Sequence, residues 1–336
     1  MPDTELMRAW RVVRHGEPAE VLELHDVPIP QPGAGEVLIR TRAVAVNFPD
    51  VLLARGEYQV RPEIPFSPGI ELCGEIVGIG ETTDADGGAS FAIGDRVVGT
   101  GIGVLTEYAV LPVGAVHLAP ASLSDEQAAG LMIAYQTAWF ALHRRAAIHP
   151  GETLLVHAAA GGVGSAAVQL GVAAGARVIG VVGSAAKAES ARAAGAETVI
   201  VRADEDFVAR VNEITGGRGA DVVFDPVGGE SFERSTKCIA FEGRIVVVGF
   251  ASGAVPEVKA NHALVKNYGV LGLHWALYSQ RRPELVRQAH TALTELAESG
   301  AISPLIGGVV ELDHAPAAIQ ELAGGQTVGR LIIRFD

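Results

Sequence analysis

The chain has 336 residues, 49% of them hydrophobic and 19% charged, which is too long for one comfortable core and suits two domains. A net charge of −13 without any basic run disfavours nucleic acid as main partner, and no uncharged apolar run reaches the roughly 18 residues of a membrane span. Cys73 and Cys238 are far apart and share no metal-type spacing, which speaks against a disulfide framework and for a reducing, cytoplasmic setting.

The start, Met1-Pro2-Asp3-Thr4-Glu5, lacks the basic residues and apolar stretch of a signal peptide. Up to about residue 130 the chain reads as β-rich. Runs such as Glu36-Val37-Leu38-Ile39-Arg40 and Arg96-Val97-Val98 are short, β-branched and bounded by glycine or proline. Pro28, Pro30 and Pro32 forbid a helix and predict an extended connector. Residues 81–90 are acidic and glycine-bearing with no apolar period, an expected exposed loop.

From about residue 150 the rhythm changes. Strands are predicted at 153–157, 177–182, 198–200, 221–224, 244–248 and 270–271, with helices to about 174 and at 185–194, 205–214 and 232–239 between them. Strands alternating with helices at this spacing call for an α/β doubly wound parallel sheet of six strands. Beyond 275 stand one helix, 283–298, and short strand-like runs at 308–310 and 331–333. The expected division is therefore 1–130 as a β-rich domain, 131–275 as a Rossmann domain, and 276–336 returning to complete the first.

The segment Ala158-Ala159-Ala160-Gly161-Gly162-Val163-Gly164 joins a predicted strand to a predicted helix. Gly161 and Gly164 stand where the second and third glycines of a dinucleotide fingerprint belong, with Ala159 in place of the first. Glycine lets the backbone approach a pyrophosphate, and the helix start offers unpaired N–H groups. The next strand ends in Gly183-Ser184-Ala185-Ala186-Lys187, with no carboxylate before Glu189 to bind ribose hydroxyls. Ser184, Lys187 and Arg202 instead suit a 2′-phosphate, so the expected cofactor is NADPH.

Ordered motifs along nearly the whole length resemble the medium-chain dehydrogenase/reductase superfamily, and within it the zinc-free quinone oxidoreductase (zeta-crystallin-like) family. They include Pro30 to Ile39, Val46-Asn47-Phe48-Pro49-Asp50, Pro65 to Glu71, Gly94-Asp95-Arg96-Val97, Thr137-Ala138, the loop Ala159 to Gly164, and Gly195-Ala196. The resemblance implies a GroES-like catalytic domain, a Rossmann NADPH-binding domain, an active site in the cleft between them, and a homodimer or homotetramer. It implies Asn47 near the nicotinamide ribose or acceptor oxygen, Tyr58 closing over the substrate, and Tyr135 as a third catalytic candidate. For the cofactor it implies Thr137, Val227, Gly249 and Phe250, with Arg330 as a cation near the nucleotide. Many relatives carry a Tyr after the third Rossmann strand, a place the reading gives to Val201.

In zinc-dependent relatives a Cys begins the motif ending in Asp50 and a His precedes Glu71. Here those places hold Asn47 and Ile70, and two cysteines cannot build a four-cysteine structural site, so no metal is expected. A quinone is already electron-poor and accepts hydride with little Lewis-acid help, given alignment and a hydrogen bond to the oxygen that gains charge. The leading expectation is thus an NADPH-dependent quinone reductase acting on a small molecule. Its alternatives are an enone or enoyl-thioester reductase, with Tyr58 or Tyr135 as proton donor, and a non-catalytic, crystallin-like NADPH-binding protein.

Overall fold

The computed structural model describes residues 5–81 and 91–336. The first four residues and, past Glu81, the predicted acidic loop lie outside the described residues. The chain divides into two compact units, Met1–Ile133 with Ile306–Asp336, and Ala134–Leu305.

The first unit opens with β1 (Leu6–Val12), α1 (Pro18–Val21) and β2 (Leu22–Pro28), where β1 and β2 pair antiparallel. It continues through β3 (Glu36–Ala45), α2 (Phe48–Arg55), β4 (Glu71–Ile79), β5 (Arg96–Thr100), β6 (Tyr108–Pro112), β7 (Val116–Leu118) and α3 (Asp125–Ala129). β3 shows why this region is sheet: Val37, Ile39, Thr41 and Ala43 point inward while Arg40 and Arg42 alternate outward. As the prolines predict, no helix or strand occupies residues 29–32.

α4 (Met132–Trp139) leads into the second unit through a π-helical segment, Phe140–Arg145. There follow β8 (Thr153–His157), α5 (Gly162–Ala173), β9 (Arg177–Val182), α6 (Ala188–Ala193), β10 (Thr198–Val201), α7 (Phe207–Ile214) and β11 (Ala220–Asp225). Next come α8 (Gly229–Ser235), β12 (Ile239–Val247), α9 (Ala260–Lys266), β13 (Gly269–Gly272), α10 (Ala276–Arg281) and α11 (Pro283–Glu298). All pairings in this sheet are parallel, in the order β10-β9-β8-β11-β12-β13. That is the doubly wound order, whose switch point lies between β8 and β11. The apolar, β-branched central strands β8, β9 and β11 are buried on both faces, as a parallel sheet requires. The chain then returns with β14 (Ile306–Glu311), α12 (Ala315–Ala323) and β15 (Arg330–Arg334), and β15 pairs with β3 in the first unit's seven-stranded sheet.

Several boundaries differ from the sequence reading. The return to the first unit begins at Ile306, not at 276, because α11 is held to the second unit: Gln136 Nε2 donates to Val286 O at 3.1 Å and Ala289 and Leu293 are buried. The helix expected at 232–239 runs instead over Gly229–Ser235, since the left-handed Gly228 and Gly229 turn the chain early and Ile239 already starts β12. The helix expected at 185–194 opens as a 3₁₀ turn, Ala185–Lys187, before α6.

Candidate functional site

In the first unit, α2 starts immediately after Asn47, with Pro49 in its first turn, where a missing N–H costs nothing. Asp50 faces back: its Oδ2 accepts from Asn47 N at 2.8 Å and its Oδ1 from Gly69 N at 2.9 Å. Gly69 has φ +88°, and a Cβ there would lie 2.6 Å from Leu105 N, so only glycine brings this N–H to the carboxylate. Glu71, the first residue of β4, accepts from Asn47 Nδ2 at 2.8 Å and from Ile133 N at 2.8 Å, and forms an ion pair with Arg330 Nη2. Asn47 Nδ2 also donates to Ala45 O at 3.0 Å, and its Oδ1 accepts from Arg330 Nη2 at 3.0 Å. Asn47, Asp50, Glu71 and Arg330 are 3%, 2%, 0% and 5% exposed, a polar knot inside an apolar core.

This knot bears on two expectations. Both amide hydrogens of Asn47 are spent within the protein, so it cannot donate to an acceptor oxygen, and only a lone pair on Oδ1 remains. Arg330, expected beside the nucleotide, is neutralised by Glu71 in the core of the first unit. Tyr58 is half-buried against the same core, and among the described residues its hydroxyl has no hydrogen-bond partner. Burial, and then the charge of Asp50, hold its phenol above the usual tyrosine range, so it stays protonated and able to donate.

Burial pushes Asp50 up to about 7 against its two backbone hydrogen bonds, and the neighbouring charge of Glu71 acts in the same direction as burial. Glu71 is likewise raised by burial, with Arg330 opposing. The folded state therefore holds the Asp50 proton more tightly than the unfolded chain, whose value is 3.8, and this group's contribution to stability falls as pH rises from 3.8 to about 7. Asp50→Asn should become progressively more stable relative to wild type between pH 5 and pH 8. A difference in thermal midpoint that does not change with pH would refute the shift.

In the second unit, β8 runs into Ala158, whose φ of 51° turns the chain. Ala159 N donates to Val181 O at 3.0 Å, and its methyl lies over Gly180, where a Cβ would come within 2.9 Å of it. This explains why alanine is tolerated at the first fingerprint place: the space is made in β9. Gly161 caps α5, Gly162 and Val163 form its first turn, and a Cβ on Gly164 would sit 2.1 Å from Ala158 O. The third glycine thus packs helix on strand, and the first N–H groups of α5, a helix of 12 residues, stay available to an anion. That backbone cradle fits a dinucleotide pyrophosphate.

Around it, Gly183 is exposed and Ser184 opens the 3₁₀ turn that carries Lys187, whose amine is lowered by burial. β10 ends at Val201, so the residue just after the third strand is Arg202, not Val201. Arg202, Val227 and Gly228 line a cavity of about 320 Å³ with Ser231 and Ser252. Gly249 and Phe250 follow β12, and a Cβ on Gly249 would approach Pro226 O to 3.3 Å.

On α4, Thr137 is buried, and Tyr135 is buried with its hydroxyl donating to Gln169 Oε1 at 2.8 Å. Gln169 also accepts from Ser303 N at 2.8 Å. Tyr135 therefore ties α4 to α5 through its hydroxyl. Sequence reasoning assigned no role to Asp50, Glu71, His157, Ser231 or Ser235. The available signal was charge or histidine inside apolar runs, as in Ile70-Glu71-Leu72 and Val156-His157-Ala158. Among the described residues no group of three or more His, Cys, Asp or Glu side chains is arranged to hold a metal.

A doubly wound sheet with a glycine cradle, in one chain with a mainly antiparallel β unit, defines the medium-chain dehydrogenase/reductase class. Residues 33–121 match the alcohol dehydrogenase GroES-like domain family, and residues 162–291 match the family described as zinc-binding dehydrogenase. The chain is 38% identical to quinone oxidoreductase-like protein 2 homolog of Nematostella vectensis, over 90% of this chain and 82% of that one. Escherichia coli quinone oxidoreductase complexed with NADPH superposes with a TM-score of 0.88 at 33% identity, covering 98% of this chain and 100% of that one. A mycobacterial protein complexed with NADPH gives a TM-score of 0.89 at 33% identity, with the same coverage. The chain belongs to the zeta-crystallin-like quinone oxidoreductase family.

Proposed function

We infer that this protein is an NADPH-dependent reductase that passes hydride to a quinone or similar activated carbonyl acceptor without zinc. The observation that carries the reading is the cradle Ala159–Gly164 together with a second strand followed by Ser184 and Lys187, with no carboxylate before Glu189. Family membership and the NADPH complexes of similar proteins support it. NADPH, when bound, supplies the hydride. Gly161, Gly162, Val163 and Gly164 would seat the pyrophosphate, and Ser184, Lys187 and Arg202 the 2′-phosphate. Val227, Gly249 and Phe250, at C-terminal strand ends, and Thr137 on α4 would line its remaining length. Asn47 and Ile70 offer neither thiolate nor imidazole, so nothing in the zinc-type ligand places calls for a metal.

Tyr58 is the donor this reading needs. Its protonated, internally unpartnered hydroxyl suits a hydrogen bond to an oxygen that gains charge, and equally a proton for carbon. That second capacity favours an enone or enoyl-thioester reductase as the alternative. Oxidation of NADPH across a panel of quinones and enones decides between them. Binding without any turnover would sink both and leave a scaffold.

Lys187→Ala should raise KM for NADPH about tenfold and that for NADH less than about twofold, the loss of one charge-assisted contact to phosphate. An equal effect on both would remove Lys187 from phosphate recognition. The buried, free Cys73 and Cys238 fit a cytoplasmic setting, and among the described residues no helix is long and apolar enough to cross a membrane. β13 is an edge strand, and Leu264, Val265 and Phe241 on the neighbouring α9 and β12 are 76%, 75% and 70% exposed; these support a homodimer built on that edge, which the mass in solution tests.

A further inference from the structure

His157 ends β8, one residue before the glycine loop turns, and its imidazole is 1% exposed. A parallel strand needs an apolar side chain there, so a buried polar ring requires an account. The ring meets Phe207 edge-on at 5.0 Å, and its Nε2 lies 2.7 Å from Ser235 Oγ. That hydroxyl spends its one hydrogen on Ser231 O, at 2.7 Å, so the proton between His157 and Ser235 belongs to Nε2. Burial first, and then the charge of Arg202, push the imidazole down to about 3, which keeps the ring neutral.

The chain of contacts continues outward. Ser231 Oγ accepts from Arg202 Nη1 at 3.4 Å, and among the described residues this is the one hydrogen bond of that exposed guanidinium. Ser231 and Arg202 both line the 320 Å³ cavity. α8 has seven residues, and its start is tied to β11, where Asp225 Oδ1 accepts from Gly228 N at 3.0 Å and from Val227 N at 2.9 Å. Its buried anchor to β8 is the bond between Ser235 and His157.

We propose that His157 and Ser235 are positioning residues for the dinucleotide, fixing α8 so that Ser231 and Arg202 meet the phosphate-bearing ribose at this cavity. The inference rests on the NADPH reading above. His157 sets the strand end that carries the glycine loop, and through Ser235 the same ring sets the rim that carries Arg202. One buried donor thereby keeps the pyrophosphate cradle and the ribose-phosphate rim in register. A polar ring that merely filled space would leave cofactor choice untouched.

The test is the dissociation constant for NADPH and for NADH, measured by calorimetry together with the thermal midpoint. The full-length variants are Ser235→Ala, His157→Leu, His157→Gln and Arg202→Ala. Ser235→Ala and His157→Leu should each weaken NADPH about tenfold and NADH less than about twofold, and Arg202→Ala should do the same. His157→Gln, whose amide restores an N–H donor, should return the ratio toward wild type. Arg202→Ala added to Ser235→Ala should weaken NADPH by less than the product of the two single effects, because both act on one contact. This pair keeps the test decisive where His157→Leu fails to fold. Lower thermal midpoints with an unchanged NADPH to NADH ratio would overturn the positioning role while leaving the NADPH reading intact. Wild-type protein that binds neither dinucleotide, or both equally, would overturn the reading itself and this inference with it.

Discussion

Replacing Gly164 by alanine should abolish useful dinucleotide binding, weakening it at least about a hundredfold, and should also destabilise the fold by about 1–3 kcal/mol. The added Cβ would lie 2.1 Å from Ala158 O, 2.7 Å from Ala158 C and 3.0 Å from Ala159 Cα. All three are backbone atoms, so no side chain can swing away. Relief comes only if α5 lifts off β8, which carries the first N–H groups of the helix out of line with an anion at the loop. Gly161 supplies a graded comparison, because a Cβ there would meet only Ala158 O at 3.3 Å, a contact that a shift of a few tenths of an ångström relieves. Gly114, whose added Cβ meets nothing within 4 Å, is the control. Titration calorimetry with NADPH and thermal melts of the three alanine variants should rank them Gly164 worst, Gly161 intermediate, Gly114 unchanged. A Gly164 variant that binds as wild type does would mean that the glycine loop is only a turn.

The parallel sheet was legible because its signal is local and repeated. Four strand–helix alternations, β-branched strands bounded by glycine, and the spacing between them suffice to predict a parallel sheet of six strands. The glycine cradle was legible for the same reason, since its glycines answer to backbone approaches within a few residues, as at Gly164 and Ala158. What depended on partners far away in sequence was not legible. Asn47 reads as a cleft residue until Glu71 and Arg330, 283 positions further on, are seen to occupy its amide. The bond from the Tyr135 hydroxyl to Gln169, 34 positions on, was likewise invisible in the sequence. Arg202 lay at the strand end all along, but a boundary error of one residue gave its place to Val201. The helix at 283–298 was read correctly, and its allegiance was not, since amphipathicity says that a face is buried and not against what.

Arg330→Met should be the most destabilising single change in the first unit, costing about 3–5 kcal/mol. The guanidinium is the cation paired with Glu71, a carboxylate that is 0% exposed, and methionine leaves that charge to backbone and amide donors alone. The same substitution frees Asn47 Oδ1, so a second buried acceptor loses its donor. Burial already holds Glu71 above the usual carboxylate range with Arg330 opposing, so removing the arginine raises it further. A carboxylate raised in the folded state stabilises less as pH climbs through its titration, and the variant's deficit should therefore be largest at pH 8 and shrink toward pH 5. Denaturant midpoints for wild type and variant at both pH values measure this directly. Replacing both partners, Arg330→Met with Glu71→Leu, should recover most of the loss, because the cost lies in the stranded charge and not in the missing attraction. If the single variant loses less than about 1 kcal/mol, or if its deficit grows on acidification, the buried pair does not hold the knot together as described.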